Sequence, residues 1–270
     1  MTKNKFVNPE QSFAWEPSES YHKDENAKSF YFFDIDENIL NLSSSIYLKH
    51  QATGKMLRVS GKSFIAEQSF IGSHGPFKDY HIDFSTNNGS FQEYRDQNIP
   101  WWKKPFVDQS FIQDIKKSIK LPDSYWQGPS WAYFCHAVLN QRPVALITAR
   151  GHSTNVLKKG LSLLVKYKHL PCEPNYLDIY AVNSPSFLNE YAENQKYSTA
   201  ELKNIAIGSA VKKAFTKYGF NKGHRFGMSD DDAENLKHIT MAMSKLKKVY
   251  PQNSFFVFDT KNSEIIKKEL

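Results

Sequence analysis

The period of the hydrophobic positions changes along the chain. Phe30 to Phe33 form an apolar run too short for a helix core and rich in aromatics, the pattern of a buried strand. Further strands are expected at Pro143–Thr148, Leu177–Val182, His224–Met228 and Phe255–Asp259. Between them the period lengthens. Leu157, Leu161, Leu164 and Val165 share one helical face, a helix is expected from Thr199 or Ala200 to Tyr218 although Gly208 weakens its middle, and Leu236, Ile239, Met243 and Leu246 mark another. Strands that alternate with helices predict a mostly parallel α/β sheet with right-handed crossovers.

Residues 43–140 break that pattern. SIYLKH, KMLRVSG, SFIAE and KDYHIDFS are short aromatic or β-branched segments separated by turn signals, which predicts an inserted mixed or β-rich module. A short helix is expected over Val107–Ile119, and a second over Trp131–Leu139. The expected organisation is an irregular lead-in over 1–28, a core made of 29–42 and 141–270, and an insertion over 43–140. The triplet QSF recurs at Gln11, Gln68 and Gln109 at unequal spacing, which is coincidence in a Phe-rich chain rather than a repeat.

At 270 residues the chain can bury a large core without staples, and its two cysteines, Cys135 and Cys172, indicate neither a disulfide framework nor a thiolate zinc site. No apolar run approaches a membrane span and the polar start lacks a secretory h-region, so a soluble, reducing, cytoplasmic setting without membrane partners is expected. The formal charge of +7 suits an anionic substrate or nucleic acid, but the lysines are scattered and equally suit a solvated surface.

Three expected strands end in phosphate-type chemistry. Asp34 and Asp36 follow Phe33, and residues two apart in extended chain point to one side. Two carboxylates held together call for a cation or a proton, and open α/β sheets place their sites at strand carboxyl ends. Thr148 and Arg150 follow the second strand, offering an uncharged hydroxyl donor and a fork of guanidinium donors. Ser229, Asp230, Asp231 and Asp232 follow the fourth, supplying hard oxygen ligands of the kind Mg²⁺ takes.

In this order, FFDIDENIL, VALITARG and FGMSDDDAENL resemble the first, second and fourth motifs of the haloacid dehalogenase-like (HAD) hydrolase superfamily. A narrower similarity links Thr148-x-Arg150 to the phosphatase domain of polynucleotide kinase-phosphatase. The resemblance implies a Rossmann-like core sheet flanked by helices, with residues 43–140 as a cap. It implies Asp34 as nucleophile, Asp36 as general acid and base, Thr148 and Arg150 as phosphoryl contacts, and Mg²⁺ held by Asp34, Asp230, Asp231 and the Asp36 carbonyl. A lysine completes the pattern; spacing favours Lys212, with Lys203 and Lys213 as rivals. Asn38 departs from the family's usual Thr. The activity implied is a Mg²⁺-dependent phosphomonoesterase acting through an aspartyl-phosphate, its substrate left open between a phosphorylated small molecule and 3′-phosphorylated nucleic acid. The alternatives are a nucleic-acid 3′-phosphatase acting on 3′-phosphorylated ends and a non-catalytic phosphate- or nucleic-acid-binding scaffold. In the insertion, His50, His74, His81, Arg58 and Arg95 are candidate substrate contacts.

Overall fold

The computed structural model describes Asp24 and residues 26–85, 88–192, 195–260 and 265–270, so the expected lead-in falls almost wholly outside the described residues. In chain order the first half contains β1 (Ser29–Phe33), β2 (Ser45–His50), β3 (Met56–Ser60), α1 (Gly61–Glu67), β4 (Tyr80–Ile82), α2 (Ser110–Ser118), α3 (Asp123–Trp126) and α4 (Trp131–Leu139). The second half contains β5 (Val144–Thr148), α5 (Thr154–Lys166), β6 (Tyr176–Ala181), α6 (Pro185–Tyr191), α7 (Thr199–Tyr218), β7 (Arg225–Asp230), α8 (Ala233–Val249), β8 (Ser254–Asp259) and β9 (Ile266–Glu269).

The main sheet has the order β6-β5-β1-β7-β8-β9 and is parallel except for β9, which runs antiparallel to β8 at the edge. β1 lies inside it, covered on both faces, which is why its aromatics run without a polar break. Phe30 and Phe32 pack with Ala206, Ile207 and Ala210 of α7 and Ile239 and Met243 of α8. Phe33 points the other way, into a cluster with Phe111 of α2, Trp126 of α3, Phe134 of α4 and Leu161 of α5. Each fully buried Phe contributes about 1.5–3 kcal/mol relative to exposure.

The inserted segment divides by packing. β3-β2-β4 forms a separate antiparallel sheet whose small core contains Ile46, Leu48, Val59 and Phe64. Residues 110–139, expected as part of the same insertion, instead form helices that cover one face of the main sheet.

Several elements depart from expectation, α3 among them, for which no helix is expected. SFIAE, read as a strand, lies in α1, because the Ser60 hydroxyl accepts from Ser63 N–H and starts a helix there. α6, for which no helix is expected, begins with Ser184 capping Phe187 N–H and Pro185 in its first turn. β9 is exposed along its length and carries IKKE, so it has no apolar alternation to announce it.

One close approach is built into the sequence. A Cβ on Gly160 of α5 would lie 2.5 Å from the Phe111 ring, so α2 and α5 can touch only because position 160 is bare. Gly160→Val is expected to cost about 1–3 kcal/mol through overpacking, measured as a shift of the urea midpoint.

Candidate metal and phosphate site

The parallel register brings the acids together. Phe33 of β1 pairs with Ser229 of β7, so the next residues, Asp34 and Asp230, leave adjacent strands side by side. Thr148 ends β5 on the other side of β1. Ligand oxygens of Asp34, Asp230 and Asp231 all lie within 4.8 Å of one another. Asp34 and Asp230 are buried and Asp231 is half-buried.

Among the described residues, one buried cation sits with these acids. Lys203 Nζ lies 2.6 Å from Asp230 Oδ2 and 3.5 Å from Asp34 Oδ2, and Lys203 is 1% exposed. Burial pulls its pKa down, but the carboxylates of Asp230 and Asp34 outweigh that and hold it above the usual lysine range. The expected lysine, Lys212, is instead exposed on α7, nine residues on and about 180° round the helix. Lys213 pairs with Asp178 at 2.5 Å. The helix face decides between the three: Lys203 shares the buried stripe of Ala206, Ile207 and Ala210, and Lys212 does not. That polar break in an apolar stripe is the signal by which sequence could have found it.

The loop after β1 is fixed by Asn38, which is fully buried. Its amide donates to the Ser229 carbonyl at 2.8 Å and Ser229 Oγ at 2.9 Å, while its Oδ1 lies 3.2 Å from Thr260 Oγ1. Asn38 thus ties the loop to the ends of β7 and β8, a bridge that uses both a donor and an acceptor and that a Thr could not span in the same way. Glu37 turns the loop with φ of 55°, a left-handed conformation held by Glu37 N–H to the Leu40 carbonyl at 2.9 Å.

Arg150 stands elsewhere than expected. Its Nε and Nη2 donate to the two Asp36 oxygens at 2.8 and 2.6 Å, Nη2 also reaches Ser44 Oγ at 2.8 Å, and the guanidinium lies between the rings of Tyr94 and Phe111 at 4.8 and 4.9 Å. Arg150 is fully buried, so its fork is occupied by Asp36 rather than open to a substrate; among the described residues Nη1 has no partner. Asp36 therefore faces Arg150, and its carboxylate is not part of the three-acid cluster. His152 packs beside this group, and burial with the nearby Arg150 charge drives its pKa down to about 2, keeping it neutral. Thr148 is buried at the β5 end, where its Oγ1 accepts from Arg150 N–H at 3.3 Å. Among the candidate contacts of the insertion, Arg58 bonds Ser45 Oγ at 2.6 Å and the Ser43 carbonyl at 3.2 Å, and Arg95 bridges to Gly151. His50 accepts from its own turn, and His74 and His81 are exposed.

The acidic cluster fits a divalent cation. Asp34 Oδ1 is buried and has no hydrogen-bond partner among the described residues, an arrangement that costs free energy unless a positive ligand meets it. Burial, with Asp230 and Asp36 adding to it against Lys203, pushes the Asp34 pKa well above the carboxylate range. Burial and Asp230 raise Asp231 to about 7. Three carboxylates suit a hard cation. Because the folded pKa of Asp231 exceeds its usual 3.8, the metal-free fold binds the extra proton between those values and loses stability as pH rises through about 7. Melting at pH 5 and pH 8 with a chelator should show that loss, and Mg²⁺ should remove most of it at pH 8. The same linkage makes cation affinity fall below pH about 7, with protons released on binding, which calorimetry in two buffers reads.

Comparison with protein-family models, curated proteins and solved structures gives no match. The chain stands on its own architecture: a Rossmann-like α/β core with an inserted antiparallel sheet and a metal-competent acidic cluster at the strand carboxyl ends. No helix among the described residues is long and apolar enough to cross a membrane.

Proposed function

We propose that this chain is a Mg²⁺-dependent phosphomonoesterase of the HAD-like type, acting through an aspartyl-phosphate on Asp34. The observation that carries the reading is the unpartnered, buried Asp34 Oδ1 beside Asp230, Asp231 and Lys203. It presents a carboxylate as nucleophile in a setting where an incoming anion meets positive charge.

Asp34, Asp230 and Asp231 would hold Mg²⁺, which when bound offsets the negative charge of the phosphoryl group and the acids. A carboxylate oxygen of Asp34 attacks phosphorus, and the P–O bond to the leaving group breaks. With the Arg150 contact open and its carboxyl protonated, Asp36 would give that proton to the leaving oxygen, then take one from the water that attacks phosphorus and frees Asp34 and inorganic phosphate. Thr148, at the adjacent strand end, would serve as a neutral donor to a phosphoryl oxygen. Lys203 keeps Asp34 and Asp230 from repelling the substrate. Arg150 acts on Asp36 as a positioning residue. Since both Asp36 oxygens are engaged by Arg150, proton transfer through either one requires that contact to open.

That locked pair also favours a second reading, a phosphate-binding scaffold without turnover. Hydrolysis of a panel of small phosphomonoesters, with Mg²⁺ and with chelator, separates the two. Metal-dependent phosphate release supports the enzyme, and tight phosphate binding with no release from any ester supports the scaffold.

A further inference from the structure

Between Gln97 and Gln109 the chain leaves the body as a loop pinched at its base. Gln109 Oε1 accepts from Gln97 N–H at 2.6 Å and its Nε2 donates to the Gln97 carbonyl at 2.9 Å. The base is tied to the strand end that carries Arg150. Gly151 N–H donates to the Tyr94 carbonyl at 2.7 Å, and Ser153 N–H donates to Asp96 at 3.2 Å. The loop therefore rises from the same edge at which Asp34, Thr148 and Asp230 end.

Its tip is a run of turns. Lys103 and Lys104 N–H donate to the Pro100 carbonyl, and Phe106 and Val107 N–H donate to the Lys103 carbonyl. Backbone bonds shape the tip, and residues 101–107 are all exposed. Trp101 is 77% exposed, Trp102 58% and Phe106 87%, with the two indoles edge to face at 5.8 Å. Three large rings in water forgo burial worth about 1.5–3 kcal/mol each, and such a patch marks an interaction surface.

We infer that this loop docks single-stranded nucleic acid, stacking bases on Trp101, Trp102 and Phe106 and meeting backbone phosphates with Lys103 and Lys104, so that a terminal phosphate reaches the Asp34 site. The inference rests on the phosphomonoesterase reading for its last step only. Rings interleaved with cations are the chemistry of single-strand binding, since every base offers a π-face. The formal charge of +7 complements a polyanion. A lipid surface would engage the same rings, but it gives the phosphate-handling edge at the loop's base no role.

The test uses the full chain and a fluorescein-labelled oligothymidylate, read by anisotropy with chelator present so that no turnover is needed. Trp101→Ala with Trp102→Ala is expected to weaken binding about tenfold or more. Lys103→Ala with Lys104→Ala should lower the slope of log affinity against log salt by about 1.4, since each phosphate left without its lysine removes roughly 0.7. Both variants should keep the parent's hydrolysis of a small phosphomonoester, while oligonucleotides phosphorylated at either end compete with that ester only in the parent. Unchanged affinity and slope in both variants overturn the inference. Loop-dependent binding to phosphatidylserine vesicles without oligonucleotide binding overturns it too. Loop-dependent oligonucleotide binding in a protein that hydrolyses no ester upholds the docking surface and refutes the phosphatase; ester hydrolysis with loop-independent binding does the reverse.

Discussion

Asp34→Asn is expected to lower Mg²⁺-dependent phosphate release by about 10⁴-fold or more, because it removes the proposed nucleophile. Its effect on stability should be opposite in sign to its effect on rate. Asp34 is a buried carboxylate whose protonation burial already favours, and its Oδ1 has no partner among the described residues. A neutral amide of the same shape relieves that desolvation, and Lys203 keeps its 2.6 Å contact with Asp230. Without metal, the variant should melt no lower than the parent. With Mg²⁺ the parent should gain more, since the variant has one ligand fewer. Kinetics and melting curves with and without chelator check both halves.

Lys203→Met should be severe for a different reason. The side chain is buried between two carboxylates, and removing one partner of a buried ion pair leaves uncompensated charge at a cost of about 3–5 kcal/mol. In a domain of this size that lowers the melting temperature by roughly 10 °C. Activity should fall as well, because Asp34 and Asp230 would then take up protons or repel an incoming phosphate. Added Mg²⁺ should restore part of the stability by supplying the missing charge. Lys212→Met, on the exposed side of the same helix, should change stability by no more than about 0.5 kcal/mol and leave turnover intact. Equal effects of the two substitutions would remove Lys203 from the site.

Strands that are buried on both faces announce themselves, and so β1, β5, β6, β7 and β8 are legible from apolar runs that end in polar residues. The convergence of Asp34 with Asp230 follows from strand order and register, which runs alone do not specify. Side-chain partners are less legible. Arg150 reads as a substrate contact because its position follows Thr148, yet the Tyr94 and Phe111 rings and Ser44, all distant in sequence, build the slot that turns it to Asp36. Lys203 is within reach of helix periodicity, whereas spacing to the acidic loop points to Lys212. The packing of α2 to α4 on the core is hidden for another reason: Phe111, Trp126 and Phe134 are the same residue types that a cap would bury.

If Asp34 takes up the phosphoryl group, as proposed, that species can be trapped. Asp36→Asn is expected to slow the water step by removing the proposed base, for which proton transfer commonly contributes about 10²–10⁴-fold. The variant, incubated with Mg²⁺ and a small phosphomonoester that the parent hydrolyses and then quenched in acid, should gain the mass of one phosphoryl group on the peptide that contains Asp34. Turnover by the parent with no phosphoryl group trapped on that peptide, together with undiminished turnover by Asp34→Asn, would contradict the account.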